Sequence, residues 1–398
     1  MKVLLVSIIL LFSFICSSSE EHKSNQETDI KPGAYQIESY IDQLKGKRIG
    51  MVVNHTSMIE ETHVVDSLIS LGIHVTKIFA PEHGYKGKAD AGEYIADEKK
   101  DLASIISLYG KKKKPTEADL QDVDILVFDI QDVGVRFYTY ISTLHYVMEA
   151  AAENDIPIIV LDRPNPNGFY VDGPVLKKEF SSFAGMHTVP VVYGLTIGEY
   201  AMMINGENWL SNEVEATLKI VKLENYNHNM VCQLPIKPSP NLPNLRSILL
   251  YPSLCYFEGT HASVGRGTSD QFQVIGHPAL KENYDFSYIP RSGEGAKYPK
   301  HENKECFGLD LSQIATSQLI LAKQIDLDYL IQVHKDFIDK ETPFFIDNNF
   351  FDKLAGSDTL KKQIIEGLTS DEIRETWTND LIDYKRIRAK YLMYPDFE

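Results

Sequence analysis

The chain has 398 residues, 43% of them hydrophobic and 24% charged, the balance of a soluble globular protein too long for one ordinary core. Domains of roughly 100–200 residues make two the expectation. The formal net charge of −16 speaks against a nucleic-acid partner, because phosphate binding needs clustered Lys and Arg.

Taken from the start, Lys2 precedes an apolar run from Val3 to Cys16, broken by Ser7 and Ser13. That run falls short of a membrane span of roughly 20 residues and reads as an export signal. Cys16 is followed by Ser17, Ser18, Ser19, Glu20 and Glu21, which resembles a bacterial lipoprotein signal with Cys16 as the lipidated residue. The expectation is an exported protein, tethered in the cell envelope or otherwise secreted, with residues 17–33 as a polar tether. The other cysteines, Cys232, Cys255 and Cys306, are odd in number and lack metal-type spacing. Buried free thiols are expected of them, one disulfide being the alternative.

The first strand spans Lys47 to Asn54, and Thr62 to Leu71 shows helical spacing with Gly72 as its C-cap. Val75 to Ala80 is a second strand, followed by a polar loop from His83 to Lys100. The basic run Lys111 to Lys114 reads as a solvated loop. Ile125 to Ile130 and Ile156 to Leu161 are further apolar strands, separated by a helix over Tyr138 to Asn154. Thr188 to Tyr193 and Ala216 to Leu223 complete the strand pattern, and Thr196 with Glu199 has the spacing of a structural capping box. From Lys237 the texture changes. Pro238, Pro240, Pro243 and Pro252 suggest an extended domain crossing, and two long helical stretches follow, Ser312 to Ile338 and Ser357 to Met393.

Continuous apolar strands alternating with helices argue for a parallel sheet covered on both faces, an α/β doubly wound fold. Ligands then bind outside the carboxyl ends of the strands. Those ends carry Asn54-His55, Glu82-His83, Asp129 to Asp132, and Asp162-Arg163-Asn165. Four polar clusters on one sheet edge define a candidate cleft.

Glu82 is the sharpest candidate, because a carboxylate at the mouth of a buried strand is placed for general acid work. His83 could orient it, bind substrate or serve the structure. Asp132 lies beyond its strand, nearer the expected cleft than Asp129. Arg136 and Tyr138 follow, the aromatic suited to sugar stacking. Asp162 and Arg163 could pair with each other, while Arg163 and Arg266, in the glycine-rich segment Gly259 to Gly267, could grip a carboxylate. No HExxH, GxSxG or GxGxxG motif is present, so no metal, serine triad or dinucleotide cofactor is expected.

The motifs PEHGYKGKADAGE, DIQDVGVRFYTYISTL, LDRPNPNG, VPVVYGLTIGEYAMMING, PSPNLPN and SVGRGT occur in this order, with FFDKLAGSDTL and RAKYLMYPDF in the C-terminal part. Together they resemble the exo-β-N-acetylmuramidase family NamZ, from about Lys45 onward. One departure is His261-Ala262 ahead of SVGRG, where Asn-Val is expected. The resemblance implies a Rossmann-like domain, here residues 34–240, and a smaller α+β domain, residues 241–398, with the active site between them. It implies release of non-reducing-end N-acetylmuramic acid from peptidoglycan fragments such as MurNAc-GlcNAc, with Glu82 catalytic. The lactyl carboxylate of that sugar calls for a cation. Asp132, Glu93 and Asp162 are candidates for a second carboxyl group. A non-catalytic wall-sugar-binding lipoprotein and a metal-dependent hydrolase of another substrate are the competing expectations.

Overall fold

The central strands are apolar on both faces, and that decides the architecture. In the strand Arg48–Val53, Ile49, Met51 and Val53 are buried in one apolar cluster while Val52 is buried in the other. Ile125 and Val127 alternate with Leu126 and Phe128 in the same way, as do Ile159 and Leu161 with Ile158 and Val160. A period of two with both sides buried requires helical cover above and below. The structure, a computed structural model, describes residues 29–87, 98–100 (backbone only) and 103–398. Cys16 and Glu93 lie outside the described residues.

The strands are β1 (Arg48–Val53), a hairpin of β2 (Met58–Ile59) and β3 (Thr62–His63), β4 (His74–Ala80), β5 (Glu98–Lys100), β6 (Ala103–Ser107), β7 (Ile125–Asp129), β8 (Ile158–Leu161) and β9 (Leu218–Val221). The main sheet has the order β5-β6-β4-β1-β7-β8-β9, with β5 antiparallel to β6 and the rest parallel. The parallel strands, ranked along the chain, run 3-2-1-4-5-6, the doubly wound Rossmann order. Its topological switch lies between β1 and β7. Helices α1 (Ile41–Leu44), α2 (Val64–Ser70), α3 (Glu117–Leu120), α4 (Tyr140–Glu153) and α5 (Ile197–Gly206) belong to this part of the chain. Gly72 (φ +79°) ends α2 as expected, and Ile73 N–H donates back to Leu68 O at 3.0 Å. Thr196 and Glu199 close the capping box of α5.

A smaller antiparallel sheet follows, β10 (Val274–His277), β12 (Cys306–Asp310) and β11 (Ser287–Tyr288) in that spatial order. Around it are α6 (Leu245–Leu254), α7 (Thr316–Ala322), α8 (Asp328–Asp336), α9 (Phe350–Ala355), α10 (Thr359–Glu366), α11 (Ser370–Glu375) and α12 (Thr378–Arg388). One buried apolar cluster runs from Phe128 and Leu144 through Leu250 and Phe257 to Trp377, joining the large sheet to this part.

Five local expectations are corrected. Thr188–Tyr193 is no strand: Pro190 lacks a donor, and the segment's bonds are scattered, Arg136 N–H donating to Val191 O, Leu176 N–H to Val189 O, and Val192 and Asp172 exchanging a reciprocal pair. The stretch Ser312–Ile338 divides at Lys323 (φ +47°), and Ser357–Met393 divides at Gly367 (φ +81°) and again at Thr376–Trp377 into α10, α11 and α12. Pro252 lies inside α6, not in an extended crossing; the Ile248 carbonyl it leaves without a helical partner accepts from Asn167 Nδ2 at 3.2 Å. β6 forms in ASIIS, just past the expected loop, because Ile105 and Ile106 bury opposite faces.

Candidate active site

The chain turns sharply where β4 ends. His83 (φ +68°) and Gly84 (φ +73°) are successive left-handed residues, and Gly84 N–H donates to Pro81 O at 2.9 Å. A non-glycine residue there is a conformational cost that the surroundings must hold in place. Gly87 (φ +66°) lets the loop lie against His55: a Cβ on it would stand 2.0 Å from the imidazole Nδ1. This turn presents Glu82 and His83 to a cavity of about 460 Å³. The opposite walls come from Phe137, Tyr138 and Thr139 ahead of α4, from Phe183, and from Tyr251, Glu258, Arg266 and Lys353 in the C-terminal part. A volume of this size is in the range of small-molecule sites.

Glu82 Oε2 accepts from the Thr139 hydroxyl at 2.7 Å. Tyr138 turns its ring to the cavity and donates its hydroxyl to Pro238 O at 2.6 Å. Its ring meets Tyr140 edge-on, centroids 4.8 Å apart. Glu258 Oε1 accepts from Arg266 Nε at 3.0 Å. Burial pushes the Glu258 carboxyl up, but the Arg266 and Lys300 cations outweigh it and hold the carboxyl below its ordinary value. The Arg266 guanidinium lies over Phe272, 5.1 Å from the ring centroid. Lys113 stands 4.3 Å over the Phe183 ring on the same wall.

Of the residues singled out from the sequence, Glu82, His83, Tyr138 and Arg266 line this cavity. The other six do not, and each has a structural occupation. Asn54 is fully buried: its Nδ2 donates to the Tyr140 hydroxyl at 2.9 Å, and its Oδ1 caps Thr56. Asp132 does not reach the cavity surface. It accepts from the Tyr193 hydroxyl and from Gly134 N–H, and burial pushes its carboxyl up to about 7 against those two bonds. Gly134 (φ +74°) must be glycine there, since a Cβ would fall 2.0 Å from Asn165 Oδ1.

Arg136 is a buried staple, not a substrate grip. Its Nη1 donates to Pro174 O (2.8 Å) and Val189 O (2.7 Å), its Nη2 to Leu354 O (2.9 Å). Burial lowers its guanidinium to about 10. Arg163 does grip a carboxylate, but that of Asp129 rather than a ligand or Asp162: both Nε and Nη2 bond it, the latter at 2.8 Å. Asp162 accepts from Tyr394 (2.6 Å), Thr196 (2.8 Å) and Gly198 N–H (2.8 Å), and burial pushes its carboxyl up to about 7. Asn165 bridges Leu195 O and Asn167 N–H, each at 2.8 Å. The strand ends do converge, but the polar residues at the ends of β1, β7 and β8 are sealed with hydrogen bonds, and those of the turn after β4 open to the cavity.

Cys232, Cys255 and Cys306 are free and buried, and burial raises all three thiols well above their ordinary range. Among the described residues no helix is long and apolar enough to cross a membrane, and no three His, Cys, Asp or Glu side chains gather as metal ligands would.

Two family models cover this chain, the N-terminal model of exo-β-N-acetylmuramidase NamZ over residues 49–246 and the C-terminal model over residues 249–394. The chain belongs to the NamZ family. Membership makes it a glycosidase. A peptidoglycan β-N-acetylmuramidase NamZ of Bacillus subtilis (strain 168) is 36% identical, with 97% of each chain covered. Two crystal structures of DUF1343 family proteins from Bacteroides fragilis NCTC 9343 share the fold. One has a TM-score of 0.85 and 43% identity over 93% of this chain and 100% of its own. The other has a TM-score of 0.74 and 29% identity over 92% and 99%.

Within this NamZ-family site, sequence reasoning passed over Thr139, Lys113, Phe183 and Glu258. Thr139 sits between Tyr138 and Tyr140 in a motif already singled out, and a helix-opening threonine facing a strand-end glutamate was a usable signal. The sequence places Lys113 in a solvated loop. Its neighbours pair with carboxylates, Lys112 with Asp119 and Lys114 with the buried Glu149, but Lys113 turns to the cavity. Glu258 lies one residue before the glycine-rich segment, and nothing local distinguishes it.

Proposed function

We propose that this NamZ-family glycosidase is an exo-acting β-N-acetylmuramidase. It releases N-acetylmuramic acid from the non-reducing end of peptidoglycan fragments such as MurNAc-GlcNAc, with Glu82 as a catalytic carboxyl group. The observation that carries the reading is Glu82 at the cavity wall, one oxygen fixed by Thr139, in a chain of this family. A carboxyl group held in one orientation at a cavity wall suits proton transfer to a glycosidic oxygen. The aromatic rings of Tyr138, Phe183 and Tyr251 supply faces for a pyranose, and the cations Lys113, Arg266 and Lys353 supply partners for a lactyl carboxylate. The activity named for the Bacillus subtilis relative supports the same substrate class.

The test is incubation of purified protein with MurNAc-GlcNAc, with and without chelator, and identification of products by mass spectrometry. Free N-acetylmuramic acid is expected in both arms. Glu82→Gln is expected to lose turnover by about 10²-fold or more at unchanged thermal midpoint. Wild-type turnover in that variant would remove Glu82 from the chemistry, and binding without product would point to a receptor.

A further inference from the structure

Glycosidases of the common two-carboxyl kind need a second carboxyl group beside the acid, either as nucleophile or as base. Of the three candidates read from the sequence, Asp132 and Asp162 are committed to hydroxyl and backbone donors behind the cavity wall, and Glu93 is outside the described residues. Among the described residues two carboxylates line the cavity, Glu82 and Glu258. We infer that Glu258 is the second carboxylate of the glycosidic reaction, an inference that rests on the reading of Glu82 given above.

The two groups come from different parts of the chain. Glu82 stands on the turn after β4, and Glu258 on the 3-10 turn Cys255–Gly259 that continues α6. Each is held by one oxygen and open at the other. Glu82 Oε2 is tied to Thr139, and Glu258 Oε1 to Arg266 Nε at 3.0 Å. Neither Glu82 Oε1 nor Glu258 Oε2 takes a hydrogen bond among the described residues or is shut away from the cavity. A carboxylate with one oxygen anchored and one free is aimed without being consumed.

The turn under Glu258 is rigid. Lys300 Nζ donates to the carbonyls of Phe257 (3.0 Å), Glu258 (3.1 Å) and Thr260 (2.7 Å). That lysine and Arg266 also bring two positive charges to Glu258, which favour its ionised form. The division of labour in a two-carboxyl glycosidase asks for one charged carboxylate facing the cation that develops on the sugar, the part that Glu258 with its two neighbouring cations fills.

The experiment uses the full chain with two substrates, MurNAc-GlcNAc and a 4-nitrophenyl β-glycoside of N-acetylmuramic acid, which leaves without a proton donor. Glu258→Gln keeps the side-chain volume, so its thermal midpoint separates folding from chemistry. Glu258→Gln and Glu258→Ala are expected to lose kcat by about 10²-fold or more on both substrates. Added sodium azide is expected to raise the rate of Glu258→Ala on the aryl substrate. The azide nitrogen forms the bond to C1 as the aryloxide departs with the C1–O electron pair, and a glycosyl azide is found by mass spectrometry. A kcat within about threefold of wild type in Glu258→Gln, or a loss in Glu258→Ala that azide leaves unchanged, overturns the inference. Both outcomes are distinct from failure of the underlying reading, in which the wild-type protein itself releases no N-acetylmuramic acid.

Discussion

A single hydroxyl orients the central carboxylate of this site. Thr139 donates to Glu82 Oε2 at 2.7 Å, and a hydrogen bond to a charged group contributes roughly 1.5–3 kcal/mol. Thr139→Ala is therefore expected to lower kcat on MurNAc-GlcNAc by about tenfold or more with KM little changed, and to shift the alkaline limb of the pH–rate profile, the limb that a proton donor sets. Thr139→Ser restores both. A KM effect alone would mean that Thr139 contacts sugar rather than Glu82. At this scale the sequence was legible where a residue type and its position on a strand coincide, as for Glu82 and Tyr138. It was illegible where orientation decides. Asp132 and Arg163 sit at strand ends as the pattern requires, yet their side chains turn to Tyr193 and Asp129. Which way a polar side chain turns depends on partners 61 and 34 residues distant along the chain, and local pattern carries no record of them.

The element that joins the two halves of the cavity is α6 with its 3-10 extension, and its integrity depends on Asn167. Pro252 removes the donor that would have met Ile248 O, and Asn167 Nδ2 replaces it at 3.2 Å while also donating to Val133 O at 2.9 Å. Asn167→Ala leaves two buried carbonyls without a donor, and a loss of about 1–3 kcal/mol in denaturant unfolding is expected. An unchanged midpoint would show that water or a helix shift satisfies both carbonyls. The strands and helices of the parallel sheet were readable because each is long, apolar and bounded by polar residues. The C-terminal elements were not, since each long helical stretch is broken by a left-handed residue, Lys323 between α7 and α8 and Gly367 between α10 and α11. A lysine in that conformation has no signature in sequence.

For the molecule as a whole, buried titratable groups set a pH window. Burial raises Asp132 and Asp162 to about 7, so their contribution to stability is complete below the ordinary carboxylate range, is lost as pH rises from there to about 7, and is constant above it. Burial lowers His187, His145 and His277, so their contribution is present above the ordinary imidazole range and is lost as pH falls through it. The two trends oppose each other between about pH 4 and 7, and these groups add no further slope above that window. Asp162→Asn removes one of the contributions that fall with pH, so its thermal midpoint relative to wild type is expected to rise between about pH 4 and 7 and to level off above about 7. A difference from wild type that does not vary with pH would show that Asp162 does not titrate in this window. The doubly wound sheet was legible at this scale, because apolar strands alternating with helices call for a parallel sheet covered on both faces. The fusion of both halves into one core was not, since it depends on surfaces that meet only after folding.

The chain segment 393–396 gives a time order to the assembly of all this. Tyr394 donates to Asp162 beside the β8 end, Met393 N–H to Glu199 at 2.8 Å, and Asp396 receives both Nη groups of Arg388 at 2.7 Å. Asp162 and Glu199 belong to the first half of the chain, yet these partners are synthesised some two hundred residues later, as the separations of 232 and 194 record. While the ribosome is still at work, the sheet holds acids whose partners have not yet been made. Its N-terminal half cannot complete these hydrogen bonds as it emerges, and does so only when residues 393–396 arrive.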